Sequence, residues 1–253
     1  MRLSPNKTIL FSALTLDATR QNKIILIIQF LYMNKLLKLS RVNLSYNTDN
    51  NLINVLQDVS FEVDYTETIS IVGESGSGKT SLIMLIGGLE KASSGKIQFK
   101  EFEISNLKED QISEIRRKNI GIVFQSYYLI PNYTALENVS LTLEINKMQN
   151  PEQKAKEILD RFGLDQRLNN LPSQLSGGEQ QRVAIARSIA MKPQLILADE
   201  PTGNLDSENS NLISKILFDY VNEEKASLII VTHDNNLAGQ TKRKIKIKDG
   251  RIV

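Results

Sequence analysis

The stretch Thr68-Ile69-Ser70-Ile71-Val72-Gly73-Glu74-Ser75-Gly76-Ser77-Gly78-Lys79-Thr80 decides the fold of this chain. Its first five residues make a short, β-branched apolar run that stops at a glycine, the pattern of a strand buried on both faces. Ser81 to Leu89 continues as an apolar helix. Between strand and helix, Gly73 to Thr80 fits G-x-x-x-x-G-K-[ST], and that flanking context is what gives the pattern its meaning. Glycines let the backbone curl until several N–H groups point inward at phosphate oxygens. The helix N-terminus adds the positive end of its dipole. Lys79 is then expected to reach the β- and γ-phosphates of a nucleotide, with the Thr80 hydroxyl on Mg²⁺. Gly73, Glu74, Ser75, Gly76, Ser77, Gly78, Lys79, Thr80 and Ser81 are the candidate residues of this cradle.

A second site lies farther along. Leu195-Ile196-Leu197-Ala198-Asp199-Glu200 is a buried-strand run ending in two adjacent carboxylates. Successive side chains at a strand tip point opposite ways. Asp199 suits the Mg²⁺ shell, and Glu200 suits polarising a water that attacks the γ-phosphate. Alone, an Asp-Glu at a strand end is an ordinary solvated pair; beside a phosphate loop it becomes the second half of a nucleotide site. Leu175-Ser176-Gly177-Gly178-Glu179-Gln180-Gln181-Arg182 opens a helix that continues VAIARSIA. A serine and two glycines at a helix start make another anion site. One chain thus carries two phosphate cradles far apart in sequence.

Around these motifs the elements alternate. Leu37 to Tyr46, Val55 to Val63, Ile97 to Phe99 and Ile120 to Phe124 read as strands. Asn150-Pro151 starts a helix, with Asn as cap and Pro in the first turn. Ala155, Ile158, Leu159 and Phe162 fall on one face of it, and Gly163 stops it. Ser207 to Tyr220 is an amphipathic helix, Leu228 to Val231 a buried strand, and Ile245, Ile247 and Ile252 belong to a closing hairpin. The result is a strand–helix core with a mainly helical insertion at about residues 126–175.

Composition narrows the chemistry. Among 253 residues, 41% are hydrophobic and 24% charged, ordinary values that allow a full core. The net charge of +2 gives no reason to expect nucleic acid as partner. The absence of cysteine excludes thiolate metal sites, and a single histidine excludes multi-histidine centres. No apolar run reaches the roughly 18–20 residues of a membrane helix; Ile24 to Met33 is too short and carries Gln29.

The helix start at Ser176 resembles the signature motif of ATP-binding cassette (ABC) ATPases, and the resemblance runs from Asn34 to Val253. It implies an α/β fold, a P-loop NTPase (RecA-like) core with an antiparallel β subdomain and an inserted helical subdomain. It implies hydrolysis of ATP with Mg²⁺ by a homodimer closed around two ATP. In that family the signature Ser176, Gly177 and Gly178 positions bind the γ-phosphate of ATP held by the other subunit. Gln125, closing GIVFQ, matches the glutamine loop that contacts Mg²⁺ and the attacking water; His233, closing LIIVTH, matches the switch histidine. A lone histidine is otherwise more often structural. Asp206, in Gly203-Asn204-Leu205-Asp206, matches the loop crossing the dimer interface, and Tyr46 lies where the family places an adenine-stacking aromatic. A core tyrosine explains Tyr46 equally well. Two departures stand out: Thr66 replaces the usual glycine before the strand, and Thr80-Ser81 stands where Ser-Thr is commoner.

GGLEKASSGKI, FQSYYLIPNYTALENVSL and DEPTGNLD resemble the lipoprotein-release (LolD), macrolide-exporter (MacB) and YbbA-type group. That group implies an integral membrane permease subunit as partner and a place at the cytoplasmic face of the inner membrane, held there through that partner. A cell-division ATPase of the FtsE kind shares these mechanics. The contiguous halves and single cassette separate the chain from chromosome-organising and ribosome-associated relatives. Two expectations remain. Tyr127, Tyr128, Leu129 and Ile130 either dock the membrane partner or pack inside the insertion. The functional protein is expected to begin at Met33, residues 1–32 being an upstream extension and 33–253 the ATPase domain.

Overall fold

The computed structural model describes residues 35–48 and 51–253; the expectation about residues 1–32 lies outside them. Two sheets organise the chain. Strands β1 (Lys35–Thr48), β2 (Asn51–Asp64), β4 (Ser94–Phe99) and β5 (Phe102–Glu103) form an antiparallel sheet in the order β2-β1-β4-β5. The second sheet contains β3 (Thr68–Val72), β6 (Ile120–Val123), β7 (Leu195–Asp199), β8 (Ser227–Val231), β9 (Arg243–Lys248) and β10 (Arg251–Ile252). Its order is β10-β9-β3-β8-β7-β6, parallel except for β10 at the edge.

Every residue of β7 and β8 is buried, as expected of parallel strands covered on both faces. The register aligns their C-terminal ends. Ile71 lies opposite Val231, Val231 opposite Asp199, and Ala198 opposite Val123. The residues that leave these four strands therefore gather along one sheet edge, the usual place for a ligand in an open α/β sheet.

Helices pack on both faces. Helix α1 (Lys79–Ile86) buries Leu82, Ile83, Leu85 and Ile86 against Ile69, Ile71 and the antiparallel sheet. It ends three residues before the expected Leu89, because Gly88 turns left-handed at φ 63°. Helix α2 (Glu109–Asn119), which the apolar pattern does not announce, buries none of its residues. Acidic Glu109 and Asp110 begin it and basic Arg116, Arg117 and Lys118 end it, complementing its dipole. Helix α3 (Ala135–Ile145) starts at a Thr134–Glu137 capping box. Helix α4 (Pro151–Arg161) starts where expected, but Asn150 is left-handed and its side chain caps nothing. With α5 (Gly177–Ile189), α3 and α4 close a third core around Val139, Leu159 and Val183. Helix α6 (Ser207–Glu224) runs four residues past the expected Tyr220, until Lys225 turns left-handed. The short α7 (Asn235–Gly239) packs against β3.

Candidate functional site

At the end of β3 the chain turns through Gly73–Gly78 into α1. Gly78 at φ 97° is the left-handed residue that lets the loop close on the helix start. A Cβ on Gly73 would fall 2.2 Å from the Ile247 carbonyl oxygen, so the loop lies directly on β9. The buried Lys79 ammonium donates to the Gly73 carbonyl at 3.0 Å and the Glu74 carbonyl at 2.7 Å, spanning the loop from inside.

This loop walls a cavity of about 470 Å³. Gln125 after β6, Asp199 and Glu200 at the end of β7, and His233 after β8 complete it. Thr80 and Ser81 lie on its α1 side, and Val55 is its one lining residue from the antiparallel sheet. Asp199 is buried and its Oδ1 has no hydrogen-bond partner; the Ser77 hydroxyl is likewise buried and unpartnered. Desolvation raises the Asp199 pKa, while the Thr80 hydroxyl and nearby Lys79 pull it down. A buried carboxylate oxygen without a donor, beside a hydroxyl, suits a hard divalent cation.

Glu200 turns away from Asp199. Its backbone is left-handed at φ 45°, fixed by its N–H to the Val231 carbonyl at 2.9 Å and its carbonyl from the Gly203 N–H at 3.0 Å. Its carboxylate meets His233 Nδ1 at 2.8 Å; the Glu200 side chain is 15% exposed and that of His233 72%. Gln125 is held by Asn204: its Nε2 donates to Asn204 Oδ1 at 3.1 Å, and Asn204 Nδ2 returns to the Gln125 carbonyl at 3.3 Å.

Other expected residues lie elsewhere. Ser176 caps α5 through a reciprocal box with Glu179, and neither it, Gly177 nor Gly178 lines the cavity. Glu179 is drawn below the usual carboxylate range, first by Arg167 at 2.8 Å and then by the Ser176 N–H. Gly178 is required by packing, since a Cβ there would fall 2.2 Å from Asn209 Oδ1. Asn209 in turn binds Asp206, which caps α6, joining the signature segment to the Asp206 loop. Tyr46 stands 42% exposed at the end of β1, its hydroxyl donating to Glu90 Oε2 at 3.2 Å, outside the cavity lining. Of the aromatic cluster, Tyr128 is 63% exposed, whereas Leu129 packs on the third core. Sequence reasoning missed Arg187 and Asn209, which no periodicity singles out.

A family model described as "ABC transporter" matches residues 56–203. The chain belongs to this family. It is 42% identical over 217 residues to the lipoprotein-releasing system ATP-binding protein LolD of Idiomarina loihiensis, covering 85% of this chain and 95% of that protein. It is 40% identical over 223 residues to the same-named protein of Cytophaga hutchinsonii, covering 87% of this chain and all of that protein. Among solved structures, the bacterial ABC transporter cassette MJ0796, a dimer, superposes with TM-score 0.81 at 40% identity. The same cassette in a dimeric post-hydrolysis state bound to ADP and Pi superposes equally well, at 39% identity over 85% of this chain and 96% of that one. This ABC chain is an ATPase, and its α/β P-loop fold is that of the family's cassettes.

Proposed function

We propose that this chain is the ATP-hydrolysing subunit of a lipoprotein-release or MacB-type exporter, a homodimer that closes around two ATP. The observation that carries the dimer is the separation of the two cradles. The phosphate loop walls one cavity, while the signature starts a helix outside it, with Ser176 exposed, Gly177 half-buried and Gly178 buried. In this reading Ser176, Gly177 and Gly178 complete the site of the second copy, with Asp206 at the interface. Lys79 and the loop N–H groups bind the β- and γ-phosphates. Tyr46 reaches adenine from the sheet edge.

Thr80, Asp199 and Gln125 hold Mg²⁺, which when bound neutralises phosphate charge. The unpartnered Asp199 oxygen supports this choice. Glu200 accepts a proton from the attacking water, and His233 keeps the carboxylate at the cavity wall through its ring nitrogen. His233, the more exposed of the pair, then turns to the γ-phosphate. Hydrolysis drives an integral membrane permease subunit, which holds the chain at the cytoplasmic face of the inner membrane. None of the helices among the described residues is long and apolar enough to cross a membrane. Exposed Tyr128 belongs to the docking face.

The test is complementation. Lys79→Ala and Ser176→Arg subunits are each inactive alone, and a mixture regains hydrolysis because every heterodimer retains one intact site. No gain on mixing overturns the composite geometry. The integral membrane protein that co-purifies from detergent extract distinguishes export from cell division.

A further inference from the structure

Arg187 lies three turns into α5, the helix that starts at the signature. Its guanidinium donates to the Tyr128 carbonyl at 2.6 Å and to the Tyr127 carbonyl at 2.9 Å. Among the described residues it has no carboxylate partner. A half-buried cation with no counter-ion is unfavourable unless its N–H groups are well used; desolvation here depresses its pKa. The arginine's five fixed donors suit two neighbouring carbonyls.

Those carbonyls belong to a strained turn. Tyr127 and Tyr128 are both left-handed, at φ 60° and 46°, a conformation bulky residues adopt only when their surroundings over-determine it. The turn is tightened by the Tyr128 N–H to Ser126 carbonyl bond at 2.6 Å and by edge-on contact of the Phe124 and Tyr128 rings at 5.1 Å. It directly follows Gln125, which lines the cavity. The Tyr127 hydroxyl also lies over the signature, where a Cβ on Gly177 would meet it at 3.0 Å.

We propose that Arg187 is a positioning residue for hydrolysis: its two bonds hold the left-handed turn that presents Gln125 to the cavity. A consequence follows from its place on α5. Helix, signature and Gln125 move as one body, so engagement of the signature by the partner copy's ATP is felt at this chain's own Gln125. The inference rests on the proposed role of Gln125 at the ATP.

A double-mutant cycle on the intact homodimer tests it. Arg187→Met, nearly the same length but without donors, lowers kcat about tenfold, the scale of a small misplacement, and changes KM for ATP by less than about threefold. Arg187→Lys, which keeps a cation and fewer donors, recovers part of the loss. In a Gln125→Ala background the Arg187→Met change alters kcat less than about twofold, because its effect has nothing left to act through. A merely structural arginine lowers the urea midpoint and the rate equally in both backgrounds. That result, or unchanged kcat in folded Arg187→Met, overturns the proposal and leaves the role of Gln125 standing. Normal kcat in Gln125→Ala overturns both. If Arg187→Met does not fold, the same cycle is run with Arg187→Lys.

Discussion

Thr66→Gly should stabilise this protein, and the structure supplies the size of the effect. Thr66 is the one β-branched residue among the non-glycine left-handed positions of the described chain, at φ 61°. It is the third residue of a turn closed by the Glu67 N–H to the Asp64 carbonyl at 3.2 Å. A left-handed third residue is the position where such turns favour glycine. The turn cannot relax, because the Asp64 N–H bonds Glu67 Oε2 at 2.8 Å and the Ser227 hydroxyl bonds the Asp64 carbonyl at 3.1 Å. The Thr66 side chain is exposed and makes no hydrogen bond to be lost; only its carbonyl is used, by Lys242 Nζ. The left-handed conformation costs an L-residue about 1–2 kcal/mol, with branching toward the upper end. Glycine returns about 0.5–1 kcal/mol through the freedom of its unfolded chain. The net gain is about 0.5–1 kcal/mol, or roughly 1–4 °C in Tm for a chain of this size. The assay is urea unfolding of the nucleotide-free protein beside calorimetry. Thr66→Asn should capture part of the gain, since asparagine tolerates this conformation. ATP turnover should not change, because the turn lies at the opposite end of β3 from the phosphate loop. A lower urea midpoint for Thr66→Gly with an unchanged slope would refute the reasoning.

Other predictions concern chemistry and pH. Glu200→Gln keeps an acceptor for the His233 ring but cannot take a proton; turnover should fall by roughly 10² or more while ATP binding persists. Trapped ATP should then hold the dimer together in gel filtration, and near-normal turnover would remove Glu200 as the base. Glu179→Gln keeps one oxygen to accept from the Ser176 N–H but puts an amide NH₂ where the Arg167 Nε–H donates, so both the charge and that hydrogen bond are lost. Because the folded-state pKa of Glu179 is lowered, its contribution is present above the unfolded value of about 4.3 and is lost as pH falls through the folded value. The urea-midpoint gap between wild type and Glu179→Gln should therefore hold from pH 7 down to about 4.3 and shrink below it; a gap that stays constant well below about pH 4 contradicts this linkage.

Much of the arrangement was legible because it rests on local rules. A buried apolar run, a glycine loop and a following helix sufficed for the strand–loop–helix unit that walls the cavity, and alternation sufficed for β1 and β2. The boundaries that slipped did so at single backbone conformations. Gly88 ends α1 early and α6 ends only at left-handed Lys225, and neither position breaks an apolar period. Helix α2 was hidden from a reading of apolar periodicity because it has no fully buried residue and sets only the partly buried Ile115 against the core. Its charge order was the signal that remained. The pairing of Asn204 with Gln125, and the roles of Asn209 and Arg187, escaped for a different reason. Each residue acts through one or two hydrogen bonds to residues more than fifty positions away or through a close approach to Gly178, and such pairings depend on the fold, not on spacing.

The left-handed residues show why strain persists in one place and is removable in another. Glu200, Tyr127 and Tyr128 each occupy a conformation that glycine would adopt without cost. Glycine at Glu200 would relieve about 1–2 kcal/mol, but it would delete the carboxylate that faces His233 across 2.8 Å. At Tyr127 and Tyr128 it would free the turn that Arg187 and the Phe124 ring tighten around Gln125. At these three positions the site needs both a side chain and a backbone direction that an L-residue resists, and neighbouring bonds offset the strain. At Thr66 only the backbone direction is needed. There the strain has no such partner, and the position is open to stabilisation.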